Sequence, residues 1–164
     1  MSLLNELEQA KQHYKRSKTV LGKLSKANRR EMDQRIHTWH EEVFDDLDCL
    51  DCANCCKTTS PIFRDVDIRR LSRALRVSEL GFIEEYLRLD EEGDYVLKSS
   101  PCSFLGPDNK CFVYENRPLA CREYPHTDRK NMYQIKGLTH RNTLVCPAVW
   151  RITEKLRLAT EKNS

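Results

Sequence analysis

The chain has 164 residues, eight of them cysteines, and a formal net charge of +3. Hydrophobic residues make up 39% of it and charged residues 32%, whereas globular domains average roughly 45–50% and roughly 25%. The length fits one domain with a thin apolar core, so we expect another source of stability. No stretch approaches the roughly 20 apolar residues that a membrane span requires, which excludes a membrane-spanning protein.

The N-terminal residues, MSLLNELEQAKQHYKR, lack the apolar run of a signal peptide. We therefore expect the chain to be cytoplasmic, a compartment in which stable disulfides are rare. Eight cysteines in such a chain indicate metal or redox chemistry rather than a disulfide framework.

Two helical patterns occupy the first 48 residues. Apolar side chains recur every three or four positions over residues 3–24, which predicts an amphipathic helix. A second pattern begins near Asn28, and Asn28 and Glu31 have the spacing of a capping box. The polar residues between the two patterns predict an antiparallel helical hairpin over residues 1–48, with one bent helix as the alternative.

Shorter elements follow in the rest of the chain. Asp65 and Ser78 are predicted to cap two helices, and a turn at Gly93 leads into a strand over residues 95–97. A second turn is predicted at residues 106–109.

Two prolines mark further helices. Pro118 suits the first turn of a short helix ending near Cys121, and Pro147 suits the start of a final helix over about residues 147–159.

These elements predict a mostly α fold with a small antiparallel β element. We expect the N-terminal helical hairpin, residues 1–48, to pack on a cysteine-rich metal-binding domain, residues 49–164, as one compact unit. The pattern leaves open whether the chain forms a dimer.

The cysteines form the strongest motif of the sequence. Four lie within eight residues, in the run Cys49-Leu-Asp-Cys52-Ala-Asn-Cys55-Cys56, and the others are Cys102, Cys111, Cys121 and Cys146. A CxxC unit turns both sulfurs toward one centre, where thiolates bind zinc at about 2.3 Å or hold an iron-sulfur cluster. Structural alternatives are buried thiols, disulfides or a purely structural metal.

Spacing alone does not assign the thiols to sites. They can form two Cys₄ sites, a polynuclear centre, or one closed site with spare ligands. Neighbouring side chains on extended backbone point apart, so Cys55 and Cys56 favour more than one metal atom. His126 and His140 are candidate extra ligands, because neutral imidazole binds zinc and iron; hydrogen-bonding surface histidines are the alternative.

The cysteine run and the segment PCSFLGPDNKCFVYENRPLACREYP, at Pro101–Pro125, together resemble the YkgJ-like cysteine-cluster family. That family is described as a zinc- or iron-chelating CxxCxxCC domain. Residues 146–149 also resemble the distal cysteine segment of compact bacterial members. The resemblance implies a metal-binding role for Cys49, Cys52, Cys55, Cys56, Cys102, Cys111, Cys121 and Cys146.

Arg117, Arg122 and Tyr124 belong to the same motif. Four thiolates around zinc carry a net negative charge, which nearby guanidinium groups can offset while they donate to sulfur. We therefore expect both arginines beside the metal centre; surface ion pairs are the alternative.

Three functions are consistent with the sequence. The first is a cytoplasmic protein that chelates a zinc or iron ion, with its wider role unassigned. The second is an iron-sulfur protein with redox or radical methylation activity, since flagellin lysine methylases have a similar cysteine cluster. The sequence has no GxGxxG loop for a nucleotide cofactor, and it leaves open whether the chain is an enzyme.

The third function is a zinc-stabilised adaptor that binds nucleic acid or protein. Its contact surface would be the basic N-terminal helices, because lysine and arginine side chains bind phosphates. The residues concerned are Lys11, Lys15, Lys18, Arg29 and Arg30.

Overall fold

The computed structural model describes residues 2–162, and α-helices dominate it. The helices are α1 (Leu3–Gln12), α2 (Tyr14–Gly22), α3 (Arg29–Asp46), α4 (Asn54–Thr58), α5 (Asp65–Leu75), α6 (Glu79–Tyr86), α7 (Leu119–Glu123), α8 (Lys136–Asn142) and α9 (Pro147–Glu161). Strands β1 (Leu87–Leu89) and β2 (Tyr95–Leu97) form one antiparallel pair. The predicted class, mostly α with a small antiparallel β element, is confirmed.

The chain forms two compact units. The first contains the residues up to Cys49 and those from Pro125 onward, and the second contains Leu50–Tyr124. The C-terminal helices therefore share a unit with the N-terminal helices, while most of the cysteine-rich segment forms a unit of its own.

In the first unit, α9 packs against α1, α2 and α3. Their apolar faces form one core, made mainly of Val20, Leu21, Leu24, Met32, Ile36, Val43, Leu47, Met132, Ala148, Ile152 and Leu156. Arg151 of α9 adds polar bonds, since its Nε and Nη2 each donate to the Glu6 carboxylate at 2.8 Å and its Nη1 donates to Asp46 at 2.9 Å.

Two N-terminal details differ from the sequence-based expectation. The predicted helix over residues 3–24 is interrupted at His13, which gives α1 and α2. The predicted capping box at α3 is wrong, because the Asn28 Oδ1 accepts from the backbone N–H and hydroxyl of Ser25, and Glu31 pairs with Arg35 instead. Asn28 thus closes the loop before the helix rather than capping the helix itself.

The second unit has its own core between α5, α6 and the β pair. It consists of Phe63, Ile68, Leu71, Phe82, Leu87, Leu97, Phe104 and Val113. The predicted cap at Ser78 is confirmed, since its hydroxyl accepts from Gly81 N at 3.0 Å, and the predicted strand over residues 95–97 is β2.

The predicted turn at residues 106–109 also forms. Gly106 N donates to Lys110 O and Phe112 N donates to Phe104 O, each at 2.8 Å, and Leu105 and Cys111 form an antiparallel bridge. A Cβ at Gly106 would lie 2.8 Å from Asp108 Oδ1, so a larger residue there would displace the Asp108 side chain.

Within the described residues, no helix is both long and apolar enough to cross a membrane.

Candidate metal centre

Backbone hydrogen bonds in the second unit bring cysteines from separate segments together. Cys55 and Cys56 lie on α4, and Cys102 N donates to Cys56 O at 2.8 Å. Cys111 follows the 106–109 turn and bridges to Leu105, three residues after Cys102. Cys121 lies on α7. Cys56 of the CxxCxxCC run thus shares a unit with three thiols that lie 46 to 65 positions further along the chain.

The Cys55–Cys56 pair has the sulfur spacing of two ligands of one metal ion. Its Sγ atoms are 4.0 Å apart, about twice the roughly 2.05 Å of a disulfide. Two thiolates of a tetrahedral zinc site with bonds of about 2.3 Å lie about 3.8 Å apart. The backbone here is helical rather than extended, so the expectation that the two side chains point apart is wrong. Ala53, with a φ of 48°, turns the chain directly into α4.

Four thiols influence one another electrostatically. Burial raises the pKa of Cys121 to about 12, with further increases from Cys56, Cys102 and Cys111. Burial also raises the pKa values of Cys102 and Cys111, and again the neighbouring thiols add to the effect. Cys56, Cys102, Cys111 and Cys121, which we call the thiol tetrad, are therefore linked electrostatically. Neighbouring thiolates repel one another, and a cation beside them favours their ionisation.

Cys56 is the member of the tetrad that ionises first. The hydrogen bond from Cys55 lowers its pKa to about 7; burial opposes this effect, and the charge of Lys57 assists it. At neutral pH, Cys56 is thus the thiolate that a metal ion meets first.

Arg117 acts electrostatically on two thiols of the tetrad. Its positive charge lowers the pKa values of Cys111 and Cys121 against the stronger effect of burial. Its guanidinium carbon lies 3.8 Å from the centre of the Tyr114 ring, and its Nη1 donates to Tyr114 O at 2.8 Å. The positive charge of Arg117 therefore favours the thiolate forms of Cys111 and Cys121.

Arg122 bonds to the backbone of the same segment. Its Nε donates to Arg117 O at 3.1 Å and its Nη2 donates to Glu115 O at 3.0 Å. These bonds hold the backbone that carries Arg117. Tyr124 ends α7 two residues later.

Asp67 and Arg70 on α5 also hold this backbone, although neither residue stands out in the sequence. The Asp67 side chain is 0% exposed and accepts from Arg70 Nη2 at 2.7 Å and from Leu119 N at 3.2 Å. Arg70 also donates to the carbonyls of Asn116 and Arg117, at 3.2 and 2.9 Å. The only sequence signal for this pair is an acid and an arginine three positions apart on α5.

The remaining predicted ligands are distributed over both units. Cys52 precedes α4 in the second unit, and its carbonyl accepts from Lys57 Nζ at 2.9 Å. Cys49 and Cys146 belong to the first unit, where Cys49 is exposed and Cys146 packs against the core.

The two candidate histidines also lie in the first unit. His140 stacks on Tyr14 with ring centres 3.8 Å apart, and its Nε2 is bonded to Tyr14 O at 2.8 Å. That nitrogen already has a partner. His126 lies just after the second unit and has a φ of 66°.

The donor set suits zinc or iron, although the side chains are not yet in binding positions. In the part of the chain that the structure describes, no three His, Cys, Asp or Glu side chains are arranged to hold a metal ion. Thiolate sulfur is nevertheless the donor preferred by zinc and by iron-sulfur clusters.

Comparison with known protein families identifies the domain. Residues 48–147, more than half of the chain, match the model described as "CxxCxxCC: Putative zinc- or iron-chelating domain". The chain belongs to this family. The CxxCxxCC assignment agrees with the resemblance seen in the sequence, and the matched range includes all eight cysteines. Neither the comparison with curated proteins nor the comparison with solved structures found a match.

Proposed function

We propose that this protein binds zinc or iron through the thiol tetrad, Cys56, Cys102, Cys111 and Cys121. The observation that carries the proposal is the bond from Cys102 N to Cys56 O, at 2.8 Å, which joins the CxxCxxCC run to the distal cysteines within residues that match a zinc- or iron-chelating domain. The mutual effect of the thiols on their pKa values supports it. A divalent cation removes the mutual repulsion of the four thiolates and makes their ionisation favourable.

The residues around the tetrad have separate tasks in this proposal. Cys56 supplies the first thiolate, and Cys55 stands 4.0 Å away as an additional donor. A zinc ion with four thiolates carries a net charge of about −2, which the nearby Arg117 partly offsets. Cys49, Cys52 and Cys146, together with His126 and His140, stay predictions from the sequence and are not needed for the first metal ion.

Proton release sets the pH dependence of binding. Cys102, Cys111 and Cys121 are protonated at neutral pH because their pKa values are raised, so each must lose a proton when metal binds. Affinity should therefore increase with pH across the neutral range.

The test is elemental analysis of protein purified without oxygen or chelator, followed by competition with a chelator of known affinity. Wild type should contain zinc or iron. Cys111→Ser and Cys121→Ser should weaken binding more than about a hundredfold, since loss of even an outer partner costs about 10- to 100-fold. The matched control Cys146→Ser should retain the metal. A folded wild-type protein without zinc or iron, or full affinity in Cys111→Ser, would refute the proposal.

An iron-sulfur cluster is the second candidate, and one observation favours it. The tetrad has a fifth thiol, Cys55, beside it, which is one more than a single tetrahedral ion requires. Labile sulfide and broad visible absorption after anaerobic iron reconstitution would establish the cluster. Colourless protein with about one zinc ion per chain would exclude it.

A further inference from the structure

An open groove on the outer side of α5 carries several arginines and no cysteine. Its volume is about 500 Å³. We call it the arginine groove, and it is lined by Val66, Arg69, Arg70, Arg73, Ala74 and Asn116.

One arginine in the wall of the groove is held rigidly. Arg70 donates to Asp67, Asn116 O and Arg117 O, and these bonds fix the plane of its guanidinium. A fixed guanidinium loses little conformational entropy when it binds an anion.

Other donors in the groove are available to a ligand. Within the described residues, the Arg73 guanidinium and the Asn116 side-chain amide form no hydrogen bond or ion pair. Arg69 pairs with Glu79 at 3.6 Å, but both side chains are about half exposed, so solvent weakens this pair. Three guanidinium groups and one amide thus line the same groove, and the Arg70 Nη1 group is the part of Arg70 left for a ligand.

Charge and shape favour a phosphate group. The forked donors of arginine match phosphate oxygens in geometry, and a phosphate monoester carries a charge of about −1.5 to −2 at neutral pH. Asp67 does not compete, because it is buried and already accepts from Arg64, Arg70 and Leu119. The exposed Val66 and Ala74 offer apolar contact to the group that carries the phosphate.

A nucleic-acid strand fits this groove less well. Proteins that bind single strands stack the bases on aromatic side chains, and the lining residues include no aromatic ring. We propose that the arginine groove is a binding site for a phosphate monoester, carried either by a small molecule or by a phosphorylated side chain of a partner protein.

The test uses the protein as purified, with its metal content recorded. Phenyl phosphate and inorganic phosphate are titrated at constant ionic strength, and binding is followed by the NMR resonances of the arginine Nε–H groups. We expect a saturable shift of Arg73, whereas the Arg70 Nε–H should keep its bond to Asn116 O. Arg73→Gln should weaken binding about tenfold or more, because a hydrogen bond to a charged group contributes about 1.5–3 kcal/mol.

Matched variants separate the groove from general charge effects. Arg88→Gln removes an exposed arginine of β1 outside the groove and should leave binding unchanged. Asn116→Ala should weaken binding while keeping the backbone carbonyl that Arg70 uses. All three variants should keep the wild-type metal content, so failure here is distinguishable from failure of the proposed metal function.

The source of the phosphate is assigned in a second set of titrations. A phosphoserine peptide that binds more tightly than both phenyl phosphate and its unphosphorylated form indicates a protein partner; equal or weaker binding than phenyl phosphate indicates a small molecule. The proposal is overturned by absence of saturable shifts, by equal loss in Arg73→Gln and Arg88→Gln, or by tighter, strongly salt-dependent binding of single-stranded RNA.

Discussion

At the level of single residues, the low pKa of Cys56 depends on its contact with Cys55. The two sulfurs are 4.0 Å apart, and the hydrogen bond between them is the largest cause of the low pKa of Cys56. Cys121 experiences the opposite environment, since burial and three neighbouring thiols raise its pKa to about 12. Cys56 therefore ionises near neutral pH, whereas Cys121 stays protonated there.

This difference predicts selective alkylation of the metal-free protein. At pH 7.5, iodoacetamide should modify Cys56 at least ~10-fold faster than Cys121, because the thiolate is the reactive form. Cys55→Ala should move the pH midpoint of Cys56 modification upward, and the control Cys52→Ala should not. Mass spectrometry of tryptic peptides measures both rates. Equal rates at Cys56 and Cys121 would contradict the prediction.

At the level of elements, arginine side chains hold the segment that joins Cys111 to Cys121. The carbonyls of four consecutive residues each accept from an arginine: Tyr114 from Arg117, Glu115 from Arg122, Asn116 from Arg70, and Arg117 from both Arg70 and Arg122. Before α7 begins at Leu119, this segment contains only a short 3₁₀ turn. Side-chain donors therefore replace the regular secondary structure that would otherwise fix the two ligands.

We call these arginine bonds to the carbonyls of residues 114–117 the arginine clamp. Asp67 anchors the clamp through Arg70, so removing the charge of Asp67 should both destabilise the second unit and weaken metal binding. Asp67→Asn should lower the free energy of unfolding by about 2 kcal/mol, the value of hydrogen bonds between charged groups. The control Asp65→Asn changes an exposed acid on the same helix and should have little effect. Urea denaturation and chelator competition measure the two effects. Unchanged metal affinity in a destabilised Asp67→Asn protein would show that the clamp does not position the ligands.

The effect of Asp67→Asn should also depend on pH. Burial favours the neutral acid, but the bonds from Arg70, Arg64 and Leu119 outweigh it and keep the pKa of Asp67 below its usual value. Its stabilising effect is therefore complete above the unfolded-state pKa of about 3.9 and is lost as the pH falls through the lower folded-state pKa. Wild type and variant should differ in stability at pH 7 and converge only in strong acid.

At the level of the whole molecule, the sequence predicts local features better than it predicts which residues meet. The cap at Ser78, strand β2 and the start of α9 at Pro147 follow from local signals and are confirmed. The association of Cys102 with Cys56 rests on a backbone bond between residues 46 positions apart, which spacing cannot reveal.

The sequence also does not reveal which polar side chains are buried. Asp67 looks like one more surface acid of α5, and only the packed structure shows that it is fully buried and bonded to Leu119. The same holds for α9, whose position beside the N-terminal helices depends on packing rather than on any local pattern.

The two units should respond differently when metal is removed. The first unit has an extensive apolar core of its own, whereas the tetrad belongs entirely to the second unit. Metal bound to thiolates contributes on the order of 10 kcal/mol to folding in small zinc modules. Treatment with a chelator should therefore lower hydrogen-exchange protection in α5, α6 and β2 about a hundredfold or more, while α3 and α9 keep their protection.

The control for this experiment destabilises the other unit. Arg151→Gln removes the two bonds to Glu6, a side chain only 10% exposed, and should lower protection in α1 and α9 by the equivalent of about 2 kcal/mol. Its metal content and the protection of α5 should match those of wild type, because the thiol tetrad is unchanged. Equal loss of protection in both units after chelation would mean that the metal stabilises the chain as one cooperative structure, and the separate stabilisation of the second unit would be refuted.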